Sequence, residues 1–427
     1  MAIVIYTNKV TNRIKYTLDF VFTEYFGIEY ELTESIDFTI RSENFYINYS
    51  NKHIPNTFSV FQDTLLLEED IRQQKIFISF VQELPVFFQT TNSHNLPFDI
   101  FSCIFFLLSR YEEYLPHEKD IHGRYISSNS ILSKPVFSFS PIVEYWLDFF
   151  KNELLKIQPN LFFKKYKFEY LPTFDIDNAF QFRGRNWFKH PPNIFSKTVR
   201  NVLLKKEPDA YDTFDFILKE LESFNQKAIF FFLLSDDKPN NSNVSPNSIL
   251  YKNWIARISS LHDIGLHPSY FSLEQKNIEK EYDILYQIAN RNIYNTRQHF
   301  LKINIPNYYK TLLDTDLDID YSLAYPDVIG FRAGCSRPFY FFDIKENKTT
   351  SLLLQPTCFM DATFEYYYPK KEDEILQDFL TIFNQLKKIN GILVPIFHND
   401  LLSKSKFRTI FKLINQHINE NQDIDYI

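Results

Sequence analysis

Two aspartates, Asp175 and Asp177, stand at the end of an apolar run in the stretch LPTFDIDN, residues 171–178. Side chains of a strand alternate between its two faces, so residues two apart share a face. Neighbouring carboxylates repel each other unless a cation or a proton lies between them. The pair therefore favours a divalent metal bound by one aspartate, with the other acting as a base. An aspartate that caps the following turn is the alternative, and it would explain one of the two alone.

Two histidines and an arginine follow in later apolar runs. In HDIGLHPSYFS, residues 262–272, His267 ends a strand candidate just before a proline, which suits a metal ligand, although a lone histidine is often structural. In NTRQHFLK, residues 295–302, Arg297 and His299 share a face by the same period of two. His299 is either another metal ligand or an ordinary hydrogen-bonded core histidine, and the residues leave both open.

A second arginine, Arg332, lies between Gly330 and Gly334 in a chain that has only seven glycines. Where glycine is this scarce, a local pair indicates a backbone requirement, either positive φ or close approach to a ligand. Gly334 is therefore a candidate substrate-binding residue, and Arg332 is a candidate catalytic one. The alternative is a tight turn with a solvated arginine.

Three further residues lie in or after apolar runs of residues 166–427. His398 ends the run GILVPIFHND, where a histidine suits proton donation near neutral pH, although a surface histidine fits as well. Trp187 in RGRNWFKHPP would suit a sugar ring beside cations, but a solvated loop explains the same residues. Asp361 in MDATF is an orienting carboxylate or a turn residue. The polar stretch HEKDIHGRY, residues 117–125, could join a site, but we interpret it as a loop.

The elements that must position these residues change character near residue 165. Residues 1–165 mix short strand candidates with amphipathic helices and predict a smaller α/β domain of unknown role. In residues 166–427, short apolar runs alternate with amphipathic helices, which predicts parallel βα units and an irregular (β/α)7-type barrel. Chemistry in such barrels lies at the carboxyl ends of the strands, where the candidate residues fall. The seven strand candidates are YLPTFDID, AIFFFLL, DIGLHPS, YNTRQHF, IDYSLAY, LLLQPTC and ILVPIFHN.

Composition excludes several classes of protein. A chain of 427 residues that is 44% hydrophobic has room for two or three globular domains. A formal net charge of −7 argues against binding to nucleic acid through bulk charge. The three cysteines predict neither a disulfide framework nor a cysteine metal motif. The first residues lack the pattern of a signal peptide, and the apolar runs are too short to span a bilayer, so we expect a cytoplasmic protein without a membrane span.

Taken in chain order, the motifs TFDID, HDIGLH and IFHND resemble those of the polysaccharide deacetylase superfamily, carbohydrate esterase family 4 and its relatives, over residues 166–400. The resemblance implies a divalent metal ion, Zn²⁺ before others, held by Asp177 and His267. The family's second metal-binding histidine corresponds to Phe271 in this chain, and His299 is the candidate replacement. The tryptophan of the family's fourth motif has no clear match.

The resemblance also implies the other catalytic roles. Asp175 would be the general base and His398 the general acid. The arginine that orients the base corresponds to Arg297 by chain order or to Arg332 by its glycine context. The implied function is metal-dependent removal of acetyl groups from an N-acetylated or O-acetylated sugar or polysaccharide precursor, with a glycan as the substrate. The oligomeric state is not indicated.

Two other functions stay open at this stage. A degenerate deacetylase that binds a glycan or a partner protein without catalysis is favoured by Phe271 in the usual ligand position. A glycoside hydrolase that uses two carboxylates is less favoured, because Asp175 and Asp177 are too close on one strand to flank a glycosidic bond.

Overall fold

The computed structural model describes residues 2–35, 44–90, 93–185, 193, 195–235, 240–241, 243–273 and 275–421. In these ranges the chain is a mixed α/β protein. The strands are β1 (Ile3–Thr7), β2 (Tyr30–Thr33), β3 (Phe45–Tyr49), β4 (Phe58–Val60), β5 (Ser79–Val81), β6 (Leu84–Val86), β7 (Glu169–Tyr170), β8 (Thr173–Ile176), β9 (Ile229–Phe232), β10 (Asp263–Leu266), β11 (Asn295–Thr296), β12 (Ile319–Asp320), β13 (Phe339–Asp343), β14 (Lys348–Leu354), β15 (Phe359–Met360), β16 (Ile392–Leu393) and β17 (Pro395–His398). The helices are α1 (Asn12–Leu18), α2 (Ile100–Leu108), α3 (Ile142–Ile157), α4 (Lys197–Leu203), α5 (Phe214–Ser223), α6 (Ile249–Ser259), α7 (Gln275–Ala289), α8 (Asn307–Leu312), α9 (Glu372–Ile389) and α10 (Ser405–Asn421), with π-helical turns at Asp19–Phe26 and Thr363–Tyr367.

The chain forms two compact units. The first consists of residues 1–118, 128–167 and 333–351, and the second of residues 119–127, 168–332 and 352–427. The main passage between them, at residue 167, lies close to the boundary that the sequence predicts. Two short segments belong to a different unit from their neighbours in the sequence: residues 119–127 to the second unit and residues 333–351 to the first. The sequence pattern does not indicate this.

The first unit is built on a parallel sheet with the order β2-β1-β3-β4. Helix α2 begins at Asp99, whose carboxylate accepts a hydrogen bond from the backbone N–H of Ser102 at 2.9 Å, as a helix N-cap does. All nine residues of α2 are buried, and Phe101 packs edge-on against Phe150 of α3 with ring centres 5.8 Å apart. Both aromatic and aliphatic side chains therefore make up the core of this unit.

The second unit contains the sheet order β14-β12-β11-β10-β9-β8-β17-β15, and the pairings within it are parallel. Each of the seven strand candidates of the sequence overlaps a strand of this order, in some cases by only two or three residues. Among the described residues, the ladder of the second unit runs from β14 to β15, and closure into a barrel remains a prediction. No described helix is both long enough and apolar enough to cross a membrane.

Two of the predicted strands are each divided in the structure. YLPTFDID forms β7 and β8, and ILVPIFHN forms β16 and β17, with β7 paired to β16 in a separate two-stranded ladder. Pro172 and Pro395 stand at the two breaks, and proline has no N–H to donate to a ladder. After the breaks, β8 and β17 pair so that Asp175 lies directly opposite His398.

Aromatic stacking fixes the strands that carry these residues. Phe174 of β8 stacks on Phe230 of β9 with ring centres 4.8 Å apart, and Phe411 of α10 packs edge-on against Phe174 at 5.6 Å. These side chains are buried on the face of β8 opposite to that of Asp175, because strand residues alternate. The helical layer and the polar residues therefore lie on opposite faces of the same strand.

Candidate active site

The carboxyl ends of the strands β8, β10, β11 and β17 meet at one pocket of about 410 Å³ within the second unit. The candidate residues that line it are Asp175, Asp177, His267, His299 and His398. Each of them lies in the last residues of a strand or in the loop that follows, as expected for parallel βα units. The clustering predicted from the strand pattern is present.

Asp177, His267 and His299 form the centre of the pocket. The Nε2 atom of His267 lies 3.1 Å from Oδ1 of Asp177, and the Nε2 atom of His299 lies 3.3 Å from Oδ2 of the same carboxylate. One candidate ligand atom from each residue lies within 4.8 Å of the other two. Among the described residues, this is the group of acidic, histidine or cysteine side chains close enough to share one metal ion.

Both histidines are oriented through their other ring nitrogen. The Nδ1 atom of His267 lies 2.6 Å from the backbone carbonyl oxygen of Arg297, and that of His299 lies 3.2 Å from Oδ1 of Asn241. Asn241 Oδ1 also accepts a hydrogen bond from the backbone N–H of Tyr270 at 2.9 Å, which identifies it as the oxygen. Because both partners accept, Nδ1 of each histidine carries a proton, so Nε2 is the nitrogen that can ligate a cation at Asp177.

The residues present fit a divalent cation. Asp177 Oδ1 is buried without a hydrogen-bond partner among the described residues, 3.1 Å from His267 Nε2. Burial works against ionisation of Asp177, but His299 and His267, when they carry a proton on Nε2, outweigh it and hold the pKa of Asp177 well below its usual value. A bound cation would take the place of those protons. Burial lowers the pKa of His299. One carboxylate with two neutral imidazoles is a donor set that suits Zn²⁺.

Asp175 lies beside this centre and is paired with Arg297. Arg297 Nη1 donates to Asp175 Oδ1 at 2.7 Å, and the guanidinium is fully buried over the ring of Phe231, 4.3 Å from its centre. The other carboxylate oxygen of Asp175 lies 3.8 Å from His267 Nε2. Asp175 thus keeps one oxygen engaged by the arginine and presents the other towards the pocket.

His398 lies on the neighbouring strand and is held by Asp361. The Asp361 carboxylate lies 2.6 Å from His398 Nδ1 and accepts from the backbone N–H of His398 at 2.8 Å. Burial alone would lower the pKa of His398, but Asp361, followed by Asp177 and Asp175, raises it to about 10. The ring therefore carries a proton on Nε2, which lies 3.8 Å from Asp177 Oδ2.

Three other candidate residues lie elsewhere or outside the described ranges. Arg332 is buried, donates to the carbonyl oxygen of Ala324 at 3.1 Å and is not among the pocket-lining residues. Gly334 belongs to the first unit and has a φ of +60°, and a Cβ atom there would come within 3.0 Å of Ile142. The glycine at position 334 thus meets a need of local packing and backbone conformation. Trp187 lies outside the described residues.

The pocket also contains residues that the sequence reasoning did not select. Asn241 orients a histidine, while Arg124, Tyr366 and Asp400 contribute to the wall. Arg124 comes from the stretch HEKDIHGRY, which the sequence pattern marks as polar but not as near the barrel. Phe271, in the position of the family's usual second histidine, is half exposed and is not among the lining residues, whereas His299 belongs to the group that could hold a metal ion.

Comparisons with known proteins give one family match and several similar solved structures. Residues 3–159 match the model of a family of unknown function, DUF7033. A search of curated proteins finds no match. Among solved structures, the chain is similar to a putative polysaccharide deacetylase from Mycobacterium smegmatis, at 15% identity and a TM-score of 0.40, over 61% of this chain and 86% of that one.

Two further solved structures are similar over the same share of the chain. A probable polysaccharide deacetylase from Pseudomonas aeruginosa has 11% identity and a TM-score of 0.42, over 60% of this chain and 86% of that one. A pseudoenzyme of carbohydrate esterase family 4 from Bacillus anthracis has 9% identity and a TM-score of 0.32, over 60% of this chain and 62% of that one.

Proposed function

We propose that the second unit is a metal-dependent hydrolase that removes an acetyl group from an N-acetylated or O-acetylated sugar. The observation that carries the proposal is that one group of three side chains and two side-chain pairs converge on one pocket. They are the ligand group of Asp177 with two histidines, the Asp175–Arg297 pair, and the His398–Asp361 pair. A base, an acid and a cation site at one pocket are what amide or ester hydrolysis needs.

Asp177, His267 and His299 would hold the divalent ion, for which Zn²⁺ is the first choice on the donor set. When bound, such an ion lowers the pKa of a coordinated water and polarises the acetyl carbonyl. The backbone carbonyl of Arg297 and the side chain of Asn241 keep both Nε2 atoms pointed at the pocket. The chain therefore fixes the ligand orientation before any ion arrives.

Asp175 takes a proton from the attacking water in this proposal. Its ion pair with the buried Arg297 stabilises the carboxylate form and fixes its direction, so the free oxygen faces the pocket. His398 gives a proton to the leaving amine or alcohol, and Asp361 holds its Nδ1 so that the Nε2 proton is the one delivered. The acid and the base are register partners on the paired strands β8 and β17, so both side chains reach the same pocket.

The test compares wild-type protein with Asp175→Asn in acetate release from N-acetylated chitooligosaccharides and O-acetylated xylan. We expect the variant to lose about a hundredfold or more of the activity, as removal of a general base does, while its metal content is unchanged. Asp263→Asn is the matched control, because Asp263 is an exposed aspartate at the opposite end of β10. Activity of Asp175→Asn equal to wild type would remove Asp175 from the mechanism.

The alternative function, binding of a glycan or partner without catalysis, depended on Phe271 standing where a metal-binding histidine is usual. His299 offers a second imidazole nitrogen to Asp177, so the ligand group contains two histidines without residue 271. The geometry therefore favours the hydrolase. A protein that binds metal and glycan but releases no acetate from any acetylated substrate would restore the alternative.

A further inference from the structure

A short segment from the first part of the sequence, Lys119–Ser127, belongs to the second unit. Its Arg124 lines the same pocket as Asp177 and His267. The segment precedes the residues of the predicted barrel by about forty positions in the sequence. It therefore adds to the candidate active site a wall that the seven βα units do not contain.

Arg124 is held rigidly. Its Nε donates to Asp120 Oδ2 at 2.7 Å, Nη1 donates to the carbonyl oxygen of Phe300 at 2.6 Å, and Nη2 donates to the hydroxyl of Tyr367 at 2.9 Å. The side chain is only 3% exposed. Phe300 and Tyr367 also line the pocket, so the guanidinium joins two of its walls.

The backbone around Arg124 is fixed by a tight turn. Asp120 Oδ1 accepts from the backbone N–H groups of His122 and Arg124, both at 2.9 Å. The backbone N–H of Asp120 donates to the carbonyl oxygen of Arg124 at 3.0 Å, and Gly123 supplies the φ of +77° that the turn needs. Such local bonding pre-orders the arginine, which lowers the entropy lost when a ligand binds to it.

The segment is also attached to the rest of the second unit at both ends. His122 Nδ1 lies 2.9 Å from the hydroxyl of Tyr270, near the amino-terminal end. At the other end Ser127 donates to Asp327 Oδ2 at 2.6 Å. These contacts tie it to the loops after β10 and β12, so the wall is part of the pocket and does not depend on a ligand to form.

We infer that Arg124 is a substrate-binding residue, and that the segment Lys119–Ser127 is the wall that recognises the sugar. This inference rests on the proposed function. Three of the five guanidinium N–H donors take part in the bonds above, which leaves one N–H on each of Nη1 and Nη2 within the described part of the chain. These two donors suit a hydroxyl or carboxylate oxygen of the sugar, beside the exposed rings of Tyr366 and Tyr367.

The ion pair with Asp120 determines how Arg124 would interact with a ligand. Its charge is largely compensated by that carboxylate at 2.7 Å, so the residue serves to direct hydrogen bonds more than to attract anions. Because it contacts neither the ligand group nor the acid and base in the bonds described, its loss should weaken substrate binding and leave the metal and the chemical step in place. That separation is what an experiment can measure.

The test measures the affinity of N-acetylchitotriose by calorimetry in the Asp175→Asn background, with and without Arg124→Gln. We expect the affinity to fall by about tenfold or more, as for loss of hydrogen bonds from a charged donor. In the protein that keeps Asp175, Arg124→Gln should raise KM for N-acetylchitotriose and change kcat by less than about threefold. The reason is that the hydrogen bond from Arg124 to the sugar is made in the ground state and in the transition state alike. The metal content should not change.

Controls separate binding from folding. Arg257→Gln removes an exposed arginine that pairs with Asp215, and it should leave every measurement at the wild-type value. If Arg124→Gln unfolds, Tyr367→Phe becomes the deciding variant, because it removes one hydroxyl from the same wall. For Tyr367→Phe we expect about a threefold loss of affinity, near the net contribution of one hydrogen bond.

The outcomes distinguish this inference from the proposed function. Unchanged affinity and KM in Arg124→Gln, or a wild-type protein that hydrolyses 4-nitrophenyl acetate but binds no acetylated oligosaccharide, would overturn the role of the segment. Sugar binding that depends on Arg124 in a protein that releases no acetate would support the role of the segment and overturn the hydrolase.

Discussion

Arg297 Nη1 donates to Asp175 Oδ1 at 2.7 Å, and both side chains are buried. The two residues belong to β8 and to the end of β11, which are separated in the sheet by β9 and β10. In a flat sheet these strands would lie about 14 Å apart, at about 4.8 Å for each step. A direct ion pair across that interval is consistent with a sheet that curves around the pocket.

Replacing Arg297 by glutamine should destabilise the second unit. The substitution leaves Asp175 buried without its cation, and removal of one partner of a buried pair costs about 3–5 kcal/mol. Chemical denaturation of wild type and Arg297→Gln, with Arg297→Lys as the variant that keeps the charge, measures the loss. A free energy of unfolding within about 1 kcal/mol of wild type would show that the pair contributes little to stability.

The pH profile should depend on Asp361. Activity needs His398 protonated, so it persists below the pKa of His398 and falls as the pH rises through that value. Asp361 helps to raise this pKa to about 10. Asp361→Asn should therefore move the alkaline limb of kcat to lower pH, by about one to three units. A bound cation would shift both proteins in the same direction, so the difference between them is the quantity to compare.

The measurement is kcat for acetate release between pH 6 and pH 11, with Asp263→Asn as the control for removal of a carboxylate far from the pocket. An alkaline limb that stays in place in Asp361→Asn would exclude His398 as the acid under the control of Asp361.

Asn241 should tune metal affinity without binding the metal. Its Oδ1 fixes the Nδ1 proton of His299, and loss of such a partner typically weakens metal binding by about 10–100-fold. Competition with a fluorescent zinc chelator would compare Asn241→Ala with Phe271→Ala, which alters a half-exposed ring that does not line the pocket. We expect weaker binding only in the first variant. Equal affinity in Asn241→Ala and wild type would show that His299 needs no such support.

The sequence predicted the parts of the site that depend on local pattern. The period of two put Asp175 and Asp177 on one face, and the strand ends located His267 and His398, because these features lie within a few residues of each other along the chain. Each of the seven predicted apolar runs overlaps a strand of the second unit. Two of them are divided near prolines, which remove donors from the ladder.

The remaining parts of the candidate site depend on which strand ends are neighbours in space. No local sequence pattern contains that information. Arg297 and Arg332 looked alike in the sequence, and only the sheet order brings Arg297 to Asp175. Arg124 reaches the pocket from a segment about fifty residues before β8. The glycine at position 334 suggested a backbone requirement or a ligand, and the structure gives it a φ of +60° with a Cβ position 3.0 Å from Ile142.

The most direct test of the central claim is the metal content of the purified protein after addition of Zn²⁺ and dialysis, measured by elemental analysis for wild type, Asp177→Asn and His299→Ala. The account predicts about one ion per chain in wild type and a large loss in both variants, because each supplies one of the three ligand atoms at the centre of the pocket. Wild-type protein that retains no ion, or variants that retain it as fully as wild type, would contradict the account.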